Sequence, residues 1–187
     1  MTARNMYVVD TNVAICANKA STADDADVLF CASFLAETIG QGGHGKHRKI
    51  VIDDAEEFFD EYRKHLSPRG TPGIGDAFFK WLWDSQYGPD VIRVPITKSP
   101  TGEYSEFPAD PRLNDFDRSD MKFVAVANAH TPHPVIVEAT DAKWWKWSKV
   151  LVQHGIEVLF ADPCRAQKGC RHKHRCSSSA NCDQCNV

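Results

Sequence analysis

Met6-Tyr7-Val8-Val9-Asp10-Thr11-Asn12 is the stretch on which the fold turns. A short, almost wholly apolar run that breaks into Asp-Thr-Asn reads as a parallel strand buried on both faces and closed by a tight turn. The pattern recurs at Lys49 to Asp53, at Pro134 to Ala139 and at Ile156 to Phe160, with Val91 to Ile96 as a short or edge strand. Apolar residues at helical spacing fill the intervals, over about Thr22 to Ile39, Asp54 to Leu66, Asp76 to Tyr87, Arg118 to His130 and Ala142 to His154. Strands alternating with helices predict an α/β fold: a three-layer α/β/α domain around a central, mostly parallel sheet.

Working outward, 187 residues suit one domain with an appendage, large enough to bury a core without staples. Residues 1–163 form the expected domain, and residues 164–187 a basic tail rich in cysteine and histidine. That tail holds five Lys and Arg against the single acid Asp183, a charge of +4, which leaves −7 on the body of a chain whose net charge is −3. An acidic body with a basic end fits a cation site on the body and contact between the tail and a polyanion. The N-terminus lacks the apolar core of a signal peptide, and no window reaches the roughly 18 apolar residues of a membrane span, so the expected location is cytoplasmic, away from the membrane.

Cys16 and Cys31 lie in apolar segments and read as buried hydrophobes. The other five cysteines crowd the tail. In a chain without a secretion signal they read more readily as ligands than as disulfides, and Cys170, Cys176, Cys182 and Cys185 are the candidate set for one Zn²⁺. Only Cys182 and Cys185 have knuckle-like spacing, so a flexible basic tail remains the alternative.

Four carboxylates stand out. Asp10 ends the first strand and Asp141 follows the strand Val135 to Ala139, which puts both at the sheet edge where α/β folds expose their ligand crevice. Each is also explained by capping alone. On the helix begun near Asp54, Glu61 lies about 110° from the centre of the Phe58, Phe59, Tyr62 stripe, closer to the core margin than Glu57 or Asp60 at about 150°. Asp120 falls within about 15° of the inner face set by Phe123, Val124 and Ala127, with Asp117 about 75° away. A carboxylate aimed inward needs a cation, a hydrogen-bond network or a proton, although acids in a first turn also suit the helix dipole.

Order and context of these acids resemble the PIN domain family of metal-dependent nucleases, over roughly Met6 to Pro163. The resemblance rests on Val8-Val-Asp-Thr-Asn-Val13, Asp60-Glu-Tyr-Arg63, Asp120-Met-Lys-Phe-Val-Ala-Val-Ala127 and Ala139-Thr-Asp141, with Gly155 to Pro163 similar to the family's last strand. It implies an endonuclease, most often a ribonuclease, in which Asp10, Glu61, Asp120 and Asp141 are the catalytic acids and bind Mg²⁺ or Mn²⁺ directly or through water. Hard oxygen ligands suit those ions, and metal-activated water needs no histidine base. Thr11, Asn12, Asp117 and Thr140 would orient the acids from behind. Two departures stand against the family pattern: the long, acidic, proline-bearing stretch from Thr97 to Asp115, read as a lid or partner surface, and the cysteine-rich tail.

For the RNA or single-stranded nucleic acid so implied, Lys46, Arg48 and Lys49 in a glycine-loosened loop, and Lys143 and Lys146 beside the tryptophans, are the candidate contacts. Against this, charge runs are often only solvated faces, and Trp144, Trp147 and Leu151 share a helical face as core residues do. An inhibitor or antitoxin-like protein partner and a homodimer are both compatible with such an enzyme, and the sequence selects neither. The alternatives are a nuclease acting on DNA and a binding or assembly protein that keeps the fold without cutting. A phosphatase using an aspartyl phosphate is disfavoured, because Asp10-Thr-Asn12 lacks a second aspartate two residues on.

Overall fold

The computed structural model describes residues 5–20, 25–40, 48–139 and 141–174, with side chains as far as 170. Five strands form one sheet: β1 (Met6–Val9), β2 (Lys49–Asp53), β3 (Val91–Val94), β4 (Val135–Glu138) and β5 (Val158–Phe160). All are parallel, in the order β3-β2-β1-β4-β5, so the Val-rich β1 lies at the centre and is covered on both faces. The helices are α1 (Thr11–Ala17), α2 (Ala26–Thr38), α3 (Glu57–Arg63), α4 (Ile74–Ser85), α5 (Met121–Ala129), α6 (Lys143–Leu151) and α7 (Pro163–His174). α1, α2 and α4 pack on one another, while α5 lies against β1, β2 and β4, which gives the three-layer α/β/α arrangement expected from the alternation. No helix among the described residues is long and apolar enough to cross a membrane.

Two helices were not expected. α1 starts directly at Thr11, because Asp10 serves as its N-cap and accepts a hydrogen bond from the Asn12 amide at 2.7 Å. Its register is held by α4, where a side chain on Gly75 would strike the Ala14 carbonyl, so the two backbones meet closely. α7 runs through the expected boundary between residues 163 and 164. Ala166, Gln167 and Cys170 are buried, α7 packs along α6, and Arg165 reaches the buried Asp27 carboxylate of α2 at 2.7 Å. A polar, basic composition hid this helix, since only one narrow stripe of it touches the body.

The stretch from Thr97 to Asp115, expected to be a lid or partner surface, is tied down at several points. Lys98 and Tyr104 both bind the Glu57 carboxylate of α3, at 2.8 and 3.0 Å, and the Glu106 carbonyl accepts from Asn128 of α5 at 2.8 Å. Asp110 and Arg112 hold His154 and Gln153 at 3.0 and 2.9 Å. The segment is a fixed wall joining α3, α5 and the 3-10 turn after α6.

Candidate active site

The parallel register carries the argument from strands to chemistry. Val9 pairs with Val137 across β1 and β4, so the next residues, Asp10 and Glu138, stand side by side at the carboxyl end of the sheet. Extending the β1–β2 pairing of Tyr7 with Ile50 by three residues puts Asp53 on the other side of Asp10. Neighbouring strands lie about 4.8 Å apart and cross-strand partners point the same way, so three acids occupy one row.

They are handled differently. Asp53 is buried but accepts three backbone N–H groups at the start of α3, from Ala55, Glu57 and Phe58, at 2.8 to 2.9 Å. Asp10, 2% exposed, has the Asn12 amide as its hydrogen-bond donor. Burial, then the charge of Asp120, push its carboxyl up to about 7, with Asp141 adding to the rise while the Asn12 amide and Lys122 oppose it. Glu138 is 0% exposed, and burial followed by the charge of Asp10 raise it well above the usual carboxylate range.

Asp120 is the N-cap residue of α5, yet its side chain makes no capping hydrogen bond. Burial, Asp117 and Asp141 raise it to about 6, against the Ser119 hydroxyl and Lys143. Its carboxylate accepts the Ser119 hydroxyl and lies within the repulsive field of other acids, with no hydrogen bond to the helix it begins. Asp141 does cap, accepting the Lys143 amide at 2.9 Å, and its own amide donates to Glu138 Oε1 at 2.9 Å. Asp117 accepts Lys143 Nζ at 2.7 Å, and this contact first, with Ser119, holds it down at about 2 despite some burial. Ser119 Oγ spans Asp117 and Asp120 at 2.8 and 3.1 Å.

Glu61 stands at the margin. Burial works to raise it, but Lys64 at 2.9 Å, with Lys122 and His65 each at 3.7 Å, hold it below the usual range. Its position is set by the next residue: Tyr62, fully buried, donates its hydroxyl to the Val9 carbonyl at 2.6 Å and so ties α3 to the end of β1. Lys122, only 5% exposed, links Glu61 to the inner acids, since its ammonium also bears on Asp10. The structure therefore brings together Asp10, Asp120 and Asp141 from the expected set and adds Glu138 and Lys122, with Glu61 joined through the lysine.

Among the described residues no three His, Cys, Asp or Glu side chains converge on one ion as they stand. The donors nonetheless fit a hard divalent cation in kind and in charge. Only oxygen ligands are offered, and they are crowded in a low-dielectric place where each raises the other. Moreover, the buried side-chain polar atoms left without a hydrogen-bond partner among the described residues are Thr11 Oγ1, Glu138 Oε2 and Trp144 Nε1. Thr11 and Glu138 belong to the segments that carry the acids, whereas Trp144 is a core residue of α6.

Thr11 and Asn12 open α1 directly behind Asp10: Asn12 holds the Asp10 carboxylate through its backbone amide, and the Thr11 hydroxyl has no hydrogen-bond partner among the described residues. Thr140 and Lys46 lie outside the described residues. Arg48, just before β2, is bound to α2 through the Phe34 carbonyl at 2.9 Å and Glu37 at 2.6 Å, so its charge is paired within the fold. Lys49 begins β2, Lys146 lies over the Trp147 ring at 3.8 Å, and Lys143 is drawn to Asp117 and Asp141. Trp144 and Trp147 are core residues, as their spacing indicates. Cys170 is disulfide-bonded, as is Cys164. Cys176, Cys182 and Cys185, the other members of the candidate zinc set, lie outside the described residues.

Glu138 and Lys122 escaped the sequence reading for opposite reasons. Glu138 reads as the polar end of an apolar strand, and its only signal is a carboxylate within the otherwise apolar Val135 to Ala139 just before Thr-Asp. Lys122 sits beside the inner face of α5, where a lysine is ordinarily assumed to reach solvent. A cavity of about 580 Å³ between α6 and β5 contains none of the acids, whereas one of about 520 Å³ along the 103–114 wall ends at Met121, next to Asp120. No family model, curated protein or solved structure matches the chain.

Proposed function

We propose that the protein is a divalent-metal-dependent endoribonuclease of PIN type. The observation that carries the reading is the crowding of Asp10, Asp120 and Asp141 at the carboxyl end of the sheet, where burial and neighbouring acids raise the carboxyls of Asp10 and Asp120. Mg²⁺ or Mn²⁺ held there would supply Lewis acidity toward the scissile phosphate and an activated water. Asp10, Asp120 and Asp141 are the residues to hold it, with Glu61 reaching the site after release from Lys122. The chain's own contribution is placement. β1 and β4 set Asp10 and the Asp141 turn on adjacent strands, the Tyr62 hydroxyl fixes α3, and the Ser119 hydroxyl lies between the Asp117 and Asp120 carboxylates within hydrogen-bond reach of both. Lys122 is buried among the acids and offsets part of their charge, while the half-exposed Lys143 at the rim is the cation placed to meet the phosphate backbone.

The test is cleavage of labelled single-stranded RNA, duplex RNA and single-stranded DNA with Mn²⁺, with Mg²⁺ and with a chelator. Metal-dependent cutting of RNA is the expected result. Cutting of DNA alone moves the substrate, and binding without cutting in any metal replaces the enzyme with a nucleic-acid-binding protein on the same fold.

A further inference from the structure

We propose that Glu138 is a fifth carboxylate of the cation site, a ligand paired with Asp10, and not a structural acceptor alone. The inference rests on the metal-dependent reading above and deepens it by naming a residue that the four-acid pattern lacks. Glu138 ends β4 beside Asp10, and its Oε1 is used by the Asp141 amide at 2.9 Å. Its Oε2 is buried and has no hydrogen-bond partner among the described residues, in a side chain that is 0% exposed. The charges that bear on it most are those of Asp10, Asp141 and Asp120, the inner members of the site.

A purely structural account explains one oxygen and leaves the other unexplained. The Asp141 amide needs a single acceptor, which the amide oxygen of a glutamine supplies equally well. A buried carboxylate oxygen with no donor, next to a second buried carboxylate, is costly to keep. Asp53, in the same row of the sheet, shows how the chain quiets such a group when only structure is needed: it surrounds the group with backbone N–H donors. Nothing comparable surrounds Glu138 Oε2, so the missing partner is a cation shared with Asp10.

Glu138→Gln separates the two roles, because it keeps the acceptor for Asp141 and removes the charge. Binding of Mn²⁺ is followed by calorimetry, and thermal unfolding is recorded with chelator and with saturating Mn²⁺, for wild type and variant. The variant is expected to bind Mn²⁺ at least about tenfold more weakly. Its melting temperature is also expected to gain less from saturating Mn²⁺ than that of wild type. A structural acceptor alone predicts none of these changes, so unaltered Mn²⁺ affinity overturns the proposal. Failure of wild type to bind Mn²⁺ overturns both this inference and the enzyme reading, whereas normal binding to wild type and Gln variant alike overturns only the inference. A readout without substitution guards against a variant that does not fold. In wild type titrated with Mg²⁺, the ¹³C signal of the Glu138 carboxyl is expected to move with the same midpoint as that of Asp10, and a static Glu138 signal overturns the proposal.

Discussion

Asp53 and the pair Asp10–Glu138 occupy the same row at the carboxyl end of one sheet, and all three are buried. Asp53 is surrounded by three amides of its own chain and starts α3. Asp10 and Glu138 lie beside each other under the charge of Asp120, and Glu138 Oε2 has no hydrogen-bond partner among the described residues. Position in the fold does not distinguish a structural acid from a functional one. Burial raises Asp53 as well, but three backbone amides oppose that rise, and it is in the supply of backbone donors that the two halves of the row differ.

The largest expected effect breaks or sharpens that contrast directly. Asp10→Asn and Asp120→Asn should each lower metal-dependent RNA cleavage by about 100-fold or more, the scale on which a preorganised electrostatic group matters. Both variants should remain folded by circular dichroism. Full activity in either one would remove the acids from the chemistry.

Next comes stability. Asp53→Ala orphans three amides and should cost about 2 kcal/mol or more in urea unfolding. Asp10→Asn, measured in chelator, should cost nothing or stabilise, because it relieves repulsion. Equal losses in the two variants would erase the distinction between them.

The same contrast has a pH signature. Asp10 at about 7 and Asp120 at about 6 stand above their unfolded value of 3.8, so between about pH 4 and 7 the metal-free native state holds protons that the unfolded state has released. Stability therefore falls as pH rises through that window, and Glu138, raised further, extends the fall upward. Asp117, held at about 2, acts in the opposite sense, but only below about pH 4. Urea midpoints from pH 4.5 to 8 in chelator should decline, and Asp10→Asn should flatten the decline. A midpoint that climbs with pH would contradict the arrangement.

Smallest is Tyr62→Phe, which removes one buried hydrogen bond to Val9 and should cost about 1 kcal/mol with cleavage lowered less than tenfold. A loss as large as that of Asp10→Asn would give Tyr62 a role beyond holding α3.

Much of the fold was legible because its signals are local. Apolar runs ending in Asp mark β1 and β2, and helical spacing marks α4 and α6 to within a few residues. Less legible were α1, whose start at Thr11 reads as a turn, and α7, whose basic surface hides a narrow buried stripe. Of the site, Asp10, Asp120 and Asp141 were visible as acids at element boundaries. Helical stepping also put Glu61 at the core margin, but the closing of Lys64, His65 and Lys122 around it was not legible, because Lys122 comes from a distant helix.

The sequence by itself determined the alternation of strands and helices and the order of the four acids, since both follow from periodicity and from neighbours a few residues apart. Only the tertiary structure decided which buried acids are satisfied. Register placed Glu138 beside Asp10, and packing turned Lys122 inward, and these are relations between distant segments that no local pattern contains.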